Sequence, residues 1–456
     1  MPRFTRIQSL GRLALLVVLC LSGCHANQPV PAPKAAPAVA ALAQRPAPSP
    51  AIPSVEVPSD VRPGIDVLES GNYLVLRGKR IALLTHPAAV NRRGVPTVDL
   101  LHSAPGVKLV ALFATEHGIY GTVPAGKIFG DQVDAKTGLT VFSLYNGRTH
   151  RPTKAQLKGI DAVVVDLQDI GVRSYTFTGA MEQLMEGCFE NGVEVIVLDR
   201  PNPLGGLKAD GPLLDPQCVG SNLVNSLPVP YVHGMTIAEL ALFAKGTPGV
   251  LRIPEASRVR GRLTVVPMSG WRRSMRWPET GLTWVPTSPF MPDFSAVVGY
   301  PMTGLGTELG KFSNGVGSQY PFRGIYHPAV KLDVLERELE ALPVSGVRFR
   351  RVSVPNARTG QPATGIYLEV TDWDEWRPTE LDFYLMKLAC KLEPKNPFAA
   401  ASKGTAEGFL RLMGSTAFFR DIAAHGAQVD VAAYLRAWQA QDRAFQQQNR
   451  KFWIYP

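Results

Sequence analysis

The chain has 456 residues, 45% of them apolar, a formal net charge of +10 and five cysteines. That length and apolar content suffice for one large core and more naturally two. Residues 1–62 hold six Lys/Arg against two Asp/Glu, leaving +6 for the body. The body has no dense basic stripe interleaved with aromatics, which argues against a nucleic-acid binder, while a modestly basic surface suits an anionic ligand.

In chain order, Arg3, Arg6 and Arg12 precede an apolar run from Leu13 to Leu21 and then small residues, the pattern of a secretory signal. The run is too short to span a bilayer as a permanent helix. It ends in Leu21-Ser22-Gly23-Cys24, which resembles a bacterial lipobox with Cys24 as the lipidated mature N-terminus. On this reading residues 1–24 are a lipoprotein signal peptide; the alternative is an ordinary signal peptide with a chance cysteine. Residues 25–62 are rich in Pro and Ala and poor in large apolar groups, so they read as a semi-rigid tether. The body keeps Cys188, Cys218 and Cys390, an odd number without CxxC spacing. No metal or redox motif is expected, and one disulfide plus a thiol or three separate thiols both stay open.

From Arg80 onward, short aliphatic runs alternate with helical spacing. The runs 80–87, 107–114, 161–169 and 193–201 are near-continuously apolar, as strands covered on both faces are. Helical spacing falls around 98–102, 154–158 and 181–190. This βαβ rhythm predicts a Rossmann-like, doubly wound, mostly parallel α/β sheet over residues 63–250. Thr236 with Glu239 three residues on predicts a capping box at the next helix, a structural role for Glu239. Past residue 250 the texture changes to shorter runs interspersed with Trp, Pro and Gly. Strands are expected at 347–355 and 365–372 and helices at 405–425 and 431–452, giving a smaller α+β domain over 251–456.

The chain has no GxGxxG loop opening a helix, no Walker loop, no GxSxG elbow and no HExxH. No nucleotide cofactor and no metal are therefore expected. Carboxylates remain at the predicted strand ends, where such sheets bind ligands: Glu116 after the second strand, Asp166 and Asp169 at the third, Asp199 at the fourth. Converging carboxylates are what glycosidic cleavage requires. Each also has a structural alternative. Asp199 could pair with Arg200 or form a turn before Pro201, and Asp166 could accept from backbone amides. Glu182, Glu186 and Glu190 have the spacing of a solvated helix face, and His117 could orient a loop.

Taken together and in order, the segments GIDVL (64–68), RIALLTHPAAVNR (80–92), TEHGIYG (115–121), DLQDIGVRSYTF (166–177), ENGVEVIVLDRPNPLGG (190–206), VPYVHGMTIAELA (229–241), ETGLTWVPTSPFMP (279–292) and FWIYP (452–456) are highly specific. The chain resembles, over about Gly64 to Pro456, the exo-acting β-N-acetylmuramidase family of bacterial peptidoglycan recycling, long catalogued as a domain of unknown function. The resemblance implies a Rossmann-like domain joined to a smaller C-terminal domain across a cleft. It also implies hydrolysis that releases N-acetylmuramic acid from the non-reducing end of peptidoglycan fragments. Glu116 stands where the family places a catalytic glutamate, and Met185-Glu186 matches a Met-Glu pair ahead of Glu190-Asn191-Gly192. On this reading Glu116 and Glu186 are the catalytic pair, and His117, Asp166, Gln168, Arg173, Tyr175 and Asp199 line the site. The 2-acetamido group of the sugar could itself be the nucleophile.

One stretch departs from the family pattern of Glu-Gly-Thr-Asn, then Gly-Arg-Gly-Thr, then Pro-Phe. Here Leu305 replaces the glutamate, Glu308 the asparagine, and the arginine between glycines is missing, with three extra residues before Pro321-Phe322. An arginine there would suit the lactyl carboxylate of muramic acid, and Lys311 or Arg323 is the expected substitute. Phe290 also replaces a usual asparagine. The partners expected are peptidoglycan-derived glycans and, through Cys24, a membrane. Since no Asp follows Cys24, analogy favours the outer membrane of the cell envelope. The competing readings are a same-fold glycosidase for another amino sugar and a catalytically silent lipoprotein that binds peptidoglycan or proteins.

Overall fold

Alternate residues of the aliphatic runs face opposite ways, and both faces are covered. The structure, a computed structural model, describes residues 60–456 apart from Ser221; the leader, Cys24 and nearly all of the tether lie outside the described residues. The first half comprises α1 (Gly64–Ser70), β1 (Arg80–Thr85), α2 (Thr97–Ser103), β2 (Lys108–Ala114), β3 (Gln132–Val133), β4 (Thr140–Ser143), β5 (Ala162–Val165), α3 (Thr176–Glu190), β6 (Glu194–Leu198), β7 (Asp210–Leu213), β8 (Pro230–Val232), α4 (Ile237–Gly246), α5 (Glu255–Arg260) and β9 (Leu263–Val266). The second comprises α6 (Phe294–Thr303), β10 (Gly324–Ile325), α7 (Leu332–Glu340), β11 (Val347–Pro355), β12 (Pro362–Val370), α8 (Glu380–Leu392), α9 (Lys403–Met413), α10 (Thr416–His425) and α11 (Val431–Asn449).

The main sheet has the order β3-β4-β2-β1-β5-β6-β9, parallel throughout except for the β3 edge. This is the doubly wound order in which the chain, having built outward from β1 on one side, returns to build on the other. Ile81, Leu83, Val164 and Ile196 pack with α1 and α2 on one face. Ala82, Leu84, Val163, Val165 and Val197 pack with α3 and α4 on the other. Each such fully buried Val, Ile or Leu side chain contributes roughly 1.5–3 kcal/mol, so the order of the strands is set by an uninterrupted apolar layer.

That second core is continuous with the C-terminal half, through Val297, Ile325, Leu335, Phe383 and Trp438. There a three-stranded sheet, β10-β12-β11, is covered by helices. The chain end then returns to the first half: the Tyr455 hydroxyl donates to Asp199 Oδ2 at 2.6 Å, and the Ile454 amide donates to Glu239 Oε1 at 2.9 Å. The two halves are thus welded.

Several expectations change. β9 pairs with β6, so the main sheet runs past residue 250 to Val266. Residues 154–158 form turns, bracketed by Pro152 and Gly159, rather than a helix. The helix expected over 405–425 breaks at Gly414, whose φ of 86° reverses the chain before Ser415 caps α10. The capping box at Thr236 and Glu239 is present on both sides, and Glu239 additionally pairs with Arg273 at 2.6 Å. The three body cysteines are separate free thiols. No helix of the described residues is long and apolar enough to cross a membrane.

Candidate active site

Parallel strands deliver their carboxyl ends to one edge, and the polar residues following β1, β2, β5 and β6 gather there. Beyond β2 the chain turns sharply at His117 (φ 71°) and Gly118 (φ 74°). The left-handed conformation at a histidine is unusual. It is held by Nδ1 against the Val123 carbonyl at 2.8 Å and by the Val123 amide donating to the His117 carbonyl at 3.2 Å. His117 therefore shapes the loop. The folded-back loop lets the Gly126 amide donate to Glu116 Oε1 at 2.7 Å, while the Thr176 hydroxyl, at the start of α3, donates to Oε2 at 3.1 Å. The amino end of α3 favours negative charge there. Burial, and then the nearby Glu116 carboxylate, push the Tyr145 phenol up. Glu116 keeps 8% of its surface exposed.

Beyond β5, Asp169 is fixed by one of its two oxygens. Oδ2 accepts from the Gly171 amide at 2.6 Å and faces His233 Nε2 at 3.1 Å, whereas the buried Oδ1 has no protein partner. The clasp depends on glycine at 171: φ is +85°, and a Cβ would come within 2.5 Å of Asn202 Oδ1. β2 and β5 flank β1, so Glu116 and Asp169 follow strand ends about 10 Å apart. Between them lies His86, held neutral by burial and by the charge of Arg200; its Nε2 accepts from the Gln168 amide at 2.8 Å. Tyr175 is buried in the same layer, its hydroxyl donating to Thr287 at 2.8 Å.

Other expected site residues serve the frame instead. Asp166 is fully buried, accepting from Thr97 and from two nitrogens of Arg200, at 2.5 and 2.9 Å. Asp199 accepts from Arg200 and Ala238 amides and from Thr236 and Tyr455 hydroxyls, so it ties three segments together; burial pushes it up to about 7. Arg173 does not line the crevice. Covered by the C-terminal half, it donates to the Met413 carbonyl at 3.0 Å, and burial pushes it down to about 10.

Glu186 is not brought to Glu116. It lies ten residues beyond Thr176 on α3, about 15 Å along the helix, whereas even an inverting pair spans roughly 9.5 Å at most. It is fully buried, pairs with Arg151 and accepts from the Arg252 amide. Its neighbour Glu182 pairs with Arg252 at 3.2 Å and is raised well above the usual range by burial and by Glu186.

The divergent stretch is also framed from within. Leu305 and Gly306 donate their amides to Asp382, at 3.3 and 2.7 Å. Lys311 pairs with Glu393 at 2.5 Å, and Arg323 is buried, with Nε donating to the Leu368 carbonyl. Arg323 is thus committed to the frame, whereas the Lys311 side chain stays 63% exposed. Burial pushes Glu308 up to about 7, and Phe290 is exposed.

Two polar cavities share the segment 146–151 as part of their walls. One, of about 700 Å³, is lined by Arg148, His150, Arg151, Gln183 and Arg411, with Glu407 as the single acid of its wall. The other, of about 390 Å³, is lined by Ile128, Asp131, Asn146 and Arg148. Arg148 belongs to both and, among the described residues, has no carboxylate partner. His150, in the wall of the larger cavity, lies 5.8 Å ring to ring from Tyr145, whose phenol neighbours Glu116. Tyr145 carried no motif signal; only folding brings it beside Glu116. No cluster of three or more His, Cys, Asp or Glu able to hold a metal occurs among the described residues.

Comparison with known proteins places this architecture. Residues 81–295 match the family described as exo-beta-N-acetylmuramidase NamZ, N-terminal, and residues 298–455 match its C-terminal counterpart. The peptidoglycan beta-N-acetylmuramidase NamZ of Bacillus subtilis (strain 168) is 38% identical over 401 residues, covering 87% of this chain and 91% of that protein. Two crystal structures of DUF1343 family proteins from Bacteroides fragilis NCTC 9343 superpose on it. One is 35% identical with a TM-score of 0.77, covering 87% of this chain and 100% of that one; the other is 27% identical with a TM-score of 0.65, covering 87% and 99%.

Proposed function

Because the chain belongs to the exo-beta-N-acetylmuramidase NamZ family, we propose that it is an exo-acting glycoside hydrolase that releases N-acetylmuramic acid from the non-reducing end of peptidoglycan fragments. The observation that carries the reading is Glu116: a carboxylate at a strand end, fixed by an amide and a hydroxyl and still 8% exposed. Glu116 is the acid and base of the reaction. It donates a proton to the glycosidic oxygen as that oxygen's bond to the anomeric carbon breaks, and later takes one from the incoming water.

The partner of Glu116 is the substrate's own 2-acetamido group, whose carbonyl oxygen attacks the anomeric carbon. Asp169 Oδ1 accepts the acetamido N–H and orients it; being clasped on the other oxygen, Asp169 has one acceptor to offer. Arg148 receives the lactyl carboxylate, in a geometry that a guanidinium suits. Glu186 serves as an internal anchor rather than as a second catalytic carboxylate. The test is Glu116→Gln, assayed on a chromogenic β-N-acetylmuramide: cleavage falls by about 10²–10⁴, and unchanged turnover removes Glu116 from the chemistry. The leader supports a further proposal, a periplasm-facing lipoprotein anchored through Cys24 in the outer membrane.

A further inference from the structure

Beyond α6 the chain turns tightly through Leu305, Gly306 and Thr307, and these turns are held from within. Asp382 of α8 accepts the Leu305 and Gly306 amides, at 3.3 and 2.7 Å. The Thr307 hydroxyl donates to the Thr303 carbonyl at 2.7 Å and accepts from the Asn314 side chain at 2.9 Å. The Glu308 amide donates to the Leu305 carbonyl at 3.1 Å. The Glu308 carboxyl differs from all of these. Among the described residues it meets no donor and no cation, and burial alone pushes it up to about 7. It is half-buried rather than sealed.

This carboxyl lies within electrostatic reach of the same hydroxyl as Glu116. The Tyr300 hydroxyl, on α6, accepts from Ser174 Oγ at 3.2 Å, and Ser174 is two residues from Thr176, a donor to Glu116. Burial raises the Tyr300 phenol, and the charges of Glu308, Asp382 and Glu116 raise it further. One glutamate therefore approaches Tyr300 from the C-terminal half and the other from the loop after β2. The remaining titratable neighbours are Asp382 and, behind Tyr300, Tyr231 of β8. Both are raised well above their usual range, chiefly by burial, so both stay neutral near pH 7. Lys311, three residues on, pairs with Glu393 at 2.5 Å.

Buried polar groups are ordinarily paired, and an unpaired carboxyl near a working one is where a functional role is to be sought. Glu308 changes charge near neutral pH. Uncharged, it tolerates an anionic sugar; ionised, it repels one; a neutral sugar feels little of either. At about 10 Å and an effective dielectric constant of about 20, one charge alters the binding of another by on the order of tenfold.

We propose that Glu308 is a specificity-determining residue that reads the charge of the sugar: its neutral form admits the anionic N-acetylmuramic acid unit beside Glu116, and its carboxylate form disfavours that unit relative to a neutral N-acetylated sugar. The identity of the sugars rests on the glycosidase reading; the charge sensing itself requires no turnover. The preference for the muramide is full below about pH 7 and declines as the pH rises through it.

The test is the ratio of kcat/KM for a chromogenic β-N-acetylmuramide to that for its β-N-acetylglucosaminide counterpart, measured from about pH 5.5 to 8.5, where the lactyl carboxylate is ionised throughout. Glu116 serves both substrates, so its own titration cancels in the ratio. In the parent the ratio falls about tenfold over that range. In Glu308→Gln it stays flat at the parent's low-pH value. A flat ratio in the parent, or the same fall in Glu308→Gln, overturns the assignment. Should Glu308→Gln fail to fold, calorimetry in buffers of different ionisation heat decides, using the whole protein carrying Glu116→Gln near pH 7. The muramide binds with net proton uptake and the glucosaminide without it; equal uptake, or none, refutes the role. Cleavage of both glycosides with a flat ratio overturns Glu308 alone. Cleavage of neither overturns the glycosidase reading and leaves the calorimetry to decide on Glu308.

Discussion

Replacing Glu186 by Gln separates a structural carboxylate from a catalytic one. The substitution keeps an oxygen for the Arg252 amide but removes the charge that Arg151 meets. Breaking a buried ion pair from one side costs about 3–5 kcal/mol. Two features lower that figure here. The Arg151 side chain is 28% exposed and also reaches Glu190 at 3.4 Å, and the change relieves repulsion on Glu182. A loss of about 2–3 kcal/mol remains. With roughly 2.1 cal/mol/K of unfolding entropy per residue and a body of about 400 residues, that lowers Tm by about 3 °C. Calorimetry reads the shift, and a chromogenic β-N-acetylmuramide reads activity at 20 °C, well below unfolding. The expected outcome is a lower Tm with kcat/KM within about threefold of the parent. A hundredfold loss of kcat/KM at unchanged Tm would show that Glu186 reaches the substrate and that the placement of the site is wrong.

Arg148→Ala should lower the preference for N-acetylmuramide over N-acetylglucosaminide by 10- to 100-fold, the worth of one charge-assisted hydrogen bond, while Arg411→Ala, as a control, changes it little; equal preference in parent and Arg148→Ala contradicts the role. Asp442, buried on α11 with both carboxyl oxygens lacking partners, is pushed up to about 9 by burial and by Asp210. The folded protein thus keeps a proton that the unfolded chain releases above about pH 4, so stability from this group is present below that pH and is lost as pH rises toward 9. Asp442→Asn should therefore raise Tm over the parent at pH 9 far more than at pH 5, and equal shifts at both would refute the burial argument. Cys24→Ser should abolish incorporation of labelled palmitate and release the protein from the membrane fraction; continued labelling would place the anchor elsewhere.

The parallel sheet was legible because strands buried on both faces leave unbroken Val, Ile and Leu runs, and the capping box because both partners are three residues apart. β9 was not, since four residues of LTVV carry too little pattern to separate from a loop. For Glu116 the strand-end position could be read directly, and the structure adds the two donors that hold it. Glu182 and Glu186 misled for a physical reason. Their four-residue spacing reads as a solvated face, yet Arg151 and Arg252, far off in the chain, fold over them. Likewise Lys311 and Arg323 look available in the sequence because Glu393 and the Leu368 carbonyl, which engage them, come from later elements. Pairings across long sequence separations are what local pattern cannot carry, and most of this site is made of them.

The most direct test is the release of free N-acetylmuramic acid from peptidoglycan glycans by the parent protein and by Glu116→Gln, quantified by mass spectrometry at matched folded concentration. The account predicts release from the non-reducing end by the parent, and a rate lower by about 10²–10⁴ for the variant with unchanged Tm. Equal release by both proteins, or none by the parent, would contradict it.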